Sequence, residues 1–386
     1  MTAGGLPDRL LIDGTILRPE GPDATSMLIR EGRIAAFDVE PGDHDGEVIG
    51  LGGATVWPGF IDLHCHGGGG AAVYSGEPDD VVRAAALHAA HGTTSMMASL
   101  TALPPRELIE ATRAIVSSVG SGRVRNIAGV HYEGPFLSPA RPGAQPADGL
   151  RPVDAEELGG LLEVCGDLDV SMTIAPELEG APELIERFRE RVVFFVGHTD
   201  ADAFAFDAAV DAGARAVTHL FNAMPPLHHR MPGPVARALL DERVTSELIV
   251  DGHHLDDDIL RLALGVAGAD RLMLATDAMA AAGMPDGDYD LPGLEASVRD
   301  GGAFVRGSDT LAGSTLTMDR AVERLVGSGA VGLREAARMA STNPAAVMGW
   351  ADRGALRVGA RADLVVIGPT GGVELVMVLG ERVPPA

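Results

Sequence analysis

The chain has 386 residues, with 55 acidic side chains against 30 basic ones and a formal charge of −25. All 30 basic residues are arginine, which excludes a Schiff-base lysine, a lysine general base, a carbamylated lysine bridging two metals and a phosphate loop closed by Gly-Lys-Ser/Thr. The acidic excess argues against non-specific nucleic-acid binding, and no run approaches the roughly 18 apolar residues of a membrane span.

Two cysteines, Cys65 and Cys165, give no disulfide framework, and the start shows no secretion signal, so a cytoplasmic protein is expected. Residues 9–17 and 26–37 mix apolar runs with Asp-Gly and Glu-Gly punctuation and read as hairpin strands. Residues 356–367 and 373–379 read in the same way, which suggests one small β domain built from both ends, 1–57 with 350–386. Between them, short apolar runs occur at 55–63, 93–100, 126–132, 170–175, 193–197, 215–218, 245–250 and 271–276. They alternate with Ala-rich stretches of helical period at 79–91, 105–119, 154–165, 202–212 and 256–266, several opening with Asp or Pro. Eight strands alternating with helices predict a (β/α)8 TIM-like barrel over 58–349, with an open doubly wound sheet as the alternative. Helices at 318–326 and 333–340 would complete its outer layer.

Reactive groups in such a barrel sit where strands end at the C-terminal face. The first run ends Asp62-Leu63-His64-Cys65-His66, and period two turns both histidines to one side, where they can share a metal. Cys65 then faces the core. The third run ends in His131-Tyr132-Glu133, the fifth at His198, the sixth at His219 and the eighth at Asp277. His64, His66, His198, His219, Glu133 and Asp277 together are a ligand set for one or two divalent ions such as Zn, Fe, Co or Mn. Glu133 can bridge two ions, and Asp277 is placed to carry a proton. His88 and His91, within a helix, and His44, in an acidic turn, read as surface residues. The glycines at 67–70 read as a loop passing close to the metal site rather than a nucleotide cradle. A second cluster, Asn222 with His228-His229-Arg230 and Asp251-Gly252-His253-His254, could hold an anion such as phosphate.

The segments PGFIDLHCHG, HYEGPF, GHTDA, THLFNAMP, DGHH, ATDAM and LAGSTLTMD, in this order, resemble the N-acetylglucosamine-6-phosphate deacetylases of the amidohydrolase superfamily. The terminal G-x-L-x-x-G-x-x-A-D-L-V-V stretch at 354–366 resembles that superfamily's small β-sandwich. The resemblance implies metal-dependent removal of acetate from N-acetylglucosamine 6-phosphate. It implies Glu133, His198 and His219 as principal ligands, with His64 and His66 for a second ion shared with Asp277. It further implies phosphate contacts from Asn222 and Ala223, a substrate contact from His254, and Arg230 contributed across a homodimer interface. One departure stands out: where the family usually has a histidine near the acetamido group, this chain has Gln145, which donates a hydrogen bond but cannot become a cation. An amidohydrolase for another N-acyl sugar, such as N-acetylgalactosamine 6-phosphate, and a non-catalytic metal-binding scaffold are the alternatives.

Overall fold

Eight parallel strands pair in chain order to form a nearly closed barrel. They are β1 (Phe60–Cys65), β2 (Thr93–Leu100), β3 (Ile127–Glu133), β4 (Asp169–Ile174), β5 (Val192–Val196), β6 (Ala216–Val217), β7 (Thr245–Leu248) and β8 (Leu272–Leu274). The computed structural model describes residues 7–291 and 294–385. The strands are buried on both faces, which is why they read as continuous apolar runs. The seam between β8 and β1 closes only past the end of β8. There the Asp277 N–H donates to His64 O and the His66 N–H to Ala278 O, both at 2.8 Å.

Helices pack outside the strands. Three of them, Ala155–Cys165, Ala203–Ala212 and Asp257–Ala267, open on Asp154, Asp202 and Asp256, whose carboxylates accept N–H groups of the first turn at 2.8–3.1 Å. Helices Ala181–Phe188 and Gly233–Leu240 escape the sequence pattern, because eight residues hold too few repeats to show a period.

The run at 55–63 is two strands rather than one. Thr55–Pro58 pairs antiparallel with Leu364–Ile367 in a five-stranded sheet, and only Phe60–Cys65 enters the barrel. Gly59 separates them, and a Cβ there would lie 2.0 Å from Thr94 Oγ1. That sheet takes Thr15–Ile16, Thr55–Pro58, Leu364–Ile367, Val373–Val378 and Glu381–Arg382, and so draws on both ends of the chain. A four-stranded sheet of Arg9–Ile12, Met27–Arg30, Arg33–Phe37 and Glu47–Gly50 shares an apolar cluster with it, including Leu11, Met27, Val56 and Leu364.

A three-stranded antiparallel sheet, Gly287–Leu291, Leu294–Arg299 and Gly302–Val305, follows β8 and was not read from the sequence. Its charged, glycine-rich strands carry little apolar signal. It leads into residues 309–313, which reach the barrel mouth. No helix among the described residues is long and apolar enough to cross a membrane.

Candidate metal centre and active site

The ligand-type residues sit where regular structure gives out. Met96 and Ala98 of β2 pair with Asp62 and Cys65 of β1, so one extra residue bulges from β1 around His64. The side chains of His64 and His66 meet, Nε2 to Nε2, at 3.0 Å, His66 lying just past the strand end. Cys65 is fully buried in the main apolar cluster. Glu133 is the last residue of β3. His198, His219 and Asp277 follow the ends of β5, β6 and β8 with left-handed φ values of 45°, 28° and 48°. Such backbone costs a non-glycine residue on the order of 1 kcal/mol and persists where the surroundings impose it.

Glu133 is the hub. Its Oε1 lies 2.9 Å from His198 Nε2, 3.1 Å from His219 Nε2 and 3.4 Å from His64 Nε2, while Oε2 lies 3.1 Å from His66 Nε2. Asp277 Oδ1 stands 3.4 Å from His66 Nε2 and 3.6 Å from His64 Nε2. Burial alone would raise the Glu133 carboxyl, but the charges of His64 and His198 and hydrogen bonds from His198 and His219 hold it well below the usual range. Burial would likewise lower His198, yet the Glu133 charge and hydrogen bond raise it.

The donor set suits divalent metal. His66 Nδ1 faces Ser99 O and His198 Nδ1 faces Arg141 O, each at 3.0 Å. A carbonyl oxygen only accepts, so each Nδ1 carries a hydrogen, and Nε2, facing Glu133, is the atom left to bind an ion once an ion displaces its hydrogen. His64, His66 and Glu133 form one ligand group and Glu133, His198 and His219 another, with Glu133 common to both. Among the described residues the side-chain partners of Glu133 and Asp277 are histidines and Gln145, with no arginine to offset their charge.

A cavity of about 300 Å³ opens over this centre. His66, Glu133, Gln145, His198, His219, Asn222, Ala223, His254 and Asp277 line it, together with residues 309–313. The Gln145 amide is held at both ends: Nε2 donates to Glu133 Oε2, and Oε1 accepts the Ala102 N–H at 2.8 Å. Gly143, with φ +59°, lets the same loop pass His198, where a Cβ would come within 3.0 Å of the ring. The ring of His254 is oriented by Asp251, Nδ1 to Oδ2 at 2.7 Å. Arg230 lies elsewhere, exposed, with its guanidinium 2.8 Å from His229 Nε2 and outside the residues lining the cavity.

His131 is fully buried against Ser171 Oγ (2.8 Å) and Thr173 Oγ1 (3.0 Å), beside the metal-ligand groups rather than in them. His88 corrects the sequence reading: it is fully buried, with Nε2 donating to Gly67 O at 2.8 Å. Its helix buries Val81, Ala84, Ala85 and His88, an i, i+3, i+4, i+7 stripe that marks the residue as inward-facing. Two further carboxylates, Asp62 and Glu247, lie inside apolar runs, where the sequence pattern gives them no role. Asp62 accepts the N–H groups of His64 and Thr276 at 3.2 Å and the Thr276 hydroxyl at 2.6 Å, and burial pushes its carboxyl up to about 6. Glu247, in β7, contacts both His64 and His219.

Residues 55–383 match the amidohydrolase family. The chain is 35% identical over 365 residues to N-acetylgalactosamine-6-phosphate deacetylase of Escherichia coli O157:H7, covering 93% of this chain and 94% of that one. It is 34% identical to N-acetylglucosamine-6-phosphate deacetylase of Bacillus subtilis, covering 88% and 87%. The solved N-acetyl-D-glucosamine-6-phosphate deacetylase of Mycobacterium smegmatis, a mutant in complex with N-acetyl-D-glucosamine-6-phosphate, superposes with a TM-score of 0.91. Its identity is 40%, with 97% of this chain and 99% of that chain covered. The enzyme of that name from Thermotoga maritima gives a TM-score of 0.88 at 30% identity, covering 98% and 100%.

Proposed function

The chain belongs to the amidohydrolase family, and on that premise we propose that it removes the N-acetyl group from N-acetylglucosamine 6-phosphate, yielding glucosamine 6-phosphate and acetate. The observation that carries the reading is the convergence of two ligand groups on Glu133 at the floor of a cavity that Asp277 also lines. A scaffold protein has no need of a proton-carrying carboxylate beside its ligands.

A divalent ion bound there, Zn, Fe, Co or Mn, supplies an electrophile for the amide carbonyl and activates water at neutral pH. The chain's own residues do the rest. His66 and His198 would offer Nε2 to that ion because backbone carbonyls hold their Nδ1 hydrogens. Asp277 takes the proton of the attacking water on its carboxylate and returns it to the departing amine. Asn222, Ala223 and His254, on the cavity wall, orient the sugar phosphate. Gln145, tied to Glu133 and Ala102, stands at the acetamido end and fixes the second Glu133 oxygen.

In this reading residues 58–349 are the catalytic barrel, and 1–57 with 350–386 form the supporting β-sandwich. The enzyme works in the cytoplasm as a homodimer, with Arg230 reaching the phosphate of the neighbouring subunit.

Acetate release from N-acetylhexosamines with and without 6-phosphate, after loading defined metals, tests the reading. Highest kcat/KM on N-acetylglucosamine 6-phosphate is the expected result. A preference for the galactose epimer would instead place the chain with its Escherichia coli relative, and no release with any metal would leave only the scaffold.

A further inference from the structure

We infer that Glu247 is a positioning residue that ties the two ligand groups together, setting the His64 ring and seating the His219 backbone. The inference rests on His64 and His219 being metal ligands. Glu247 is fully buried, and its Oε2 lies 3.2 Å from His64 Nδ1 and 3.2 Å from the His219 N–H. The same Oε2 already takes the His219 N–H, so it acts as an acceptor towards both groups. Nδ1 of His64 therefore donates, and its Nε2 is the atom turned towards His66 and Glu133 and left for an ion. His66 and His198 obtain the same orientation from backbone carbonyls, which no substitution removes. His64 obtains it from a side chain.

The second contact meets a different need. With φ 28°, His219 leaves the strand ladder, and its N–H requires another acceptor. Glu247 brackets that turn: its side chain takes the His219 N–H, and its main-chain carbonyl takes the Leu220 N–H at 2.9 Å. One residue of β7 thus fixes a ligand from each group.

The test compares Glu247→Met, which keeps the length and removes the acceptor, with Glu247→Gln, whose amide oxygen accepts both hydrogens. Co(II) affinity is read by competition with a chromophoric chelator, beside kcat and KM. Glu247→Met should weaken Co(II) binding about 10- to 100-fold and lower kcat with little change in KM, and Glu247→Gln should recover most of both. Unchanged affinity in Glu247→Met, or equal losses in both variants, would overturn the inference. If Glu247→Met does not fold, nitrogen NMR of the Zn(II)-loaded 15N-histidine wild-type protein decides: His64 should carry its hydrogen on Nδ1, and an Nδ1 without a hydrogen overturns the proposal. Failure of the wild-type protein itself to bind Co(II) would sink the ligand assignment instead, so the two failures are distinguishable.

Discussion

At the scale of single residues, the site depends on side chains placed by backbone that ordinary strands do not adopt. Asp277 sits at φ 48°, its N–H bound to His64 O and its Oδ1 within 3.6 Å of both His64 and His66 Nε2. Asp277→Asn keeps the shape and removes the basic oxygen. Turnover should fall by at least about 100-fold while metal content, measured by elemental analysis, stays near that of the parent. Near-normal turnover would remove Asp277 from the proton-transfer role. The placement of His64, Glu133, His198, His219 and Asp277 at one end of the barrel was legible because metal-ligand types recur where apolar runs stop. Glu247 was not, since one carboxylate inside a short run looks like an interruption, and its meaning comes from His64, far away in sequence. The locked amide of Gln145 was equally invisible, because it depends on a loop folding back onto Glu133.

At the scale of elements, the helix Pro78–Ala90 carries the instructive misreading. Its Val81, Ala84, Ala85 and His88 form the buried stripe, so His88 enters the core with Nδ1 unpartnered. Burial lowers its pKa to about 4, against 6.5 for the free side chain. The unfolded chain therefore takes up a proton as pH falls from 7 towards 5, while the folded one resists it. Stability associated with His88 is fully present above pH 6.5 and is lost as pH falls from 6.5 towards 4. The shift corresponds to roughly 3 kcal/mol in full and about 2 kcal/mol by pH 5. His88→Gln can still donate to Gly67 O but does not titrate. Urea unfolding of both proteins at pH 7 and pH 5 should show the wild-type protein losing about 2 kcal/mol more than the variant. Equal losses would show that His88 is not the titrating group. The barrel strands and capped helices were readable because their patterns are local. The bulge in β1, the two eight-residue helices and the sheet after β8 depend on tertiary pairing and left no periodic trace.

For the whole molecule, a charge of −25 without a single lysine sets the terms on which an anionic substrate approaches. At about 0.01 M salt the Debye length is roughly 30 Å, so the net field repels a sugar phosphate well before contact; at 0.15 M it is about 8 Å and only local groups act. Raising salt over that range should increase kcat/KM for the phosphorylated sugar and leave the unphosphorylated one unchanged. A fall would mean that the mouth carries a net positive field. Arg230 is the cation to examine, since within one chain it is exposed and lies outside the cavity lining. Arg230→Ala should raise KM for the phosphorylated substrate far more than for the neutral sugar. Mixing subunits tests where the arginine acts. A dimer of one Arg230→Ala chain and one Asp277→Asn chain holds one site with an intact Asp277 and, if the arginine comes from the partner, an intact Arg230 beside it. Activity should then exceed that of either parent dimer. Activity no greater than the parents' would place Arg230 with its own subunit's site or remove it from phosphate binding, and the KM comparison separates those two cases.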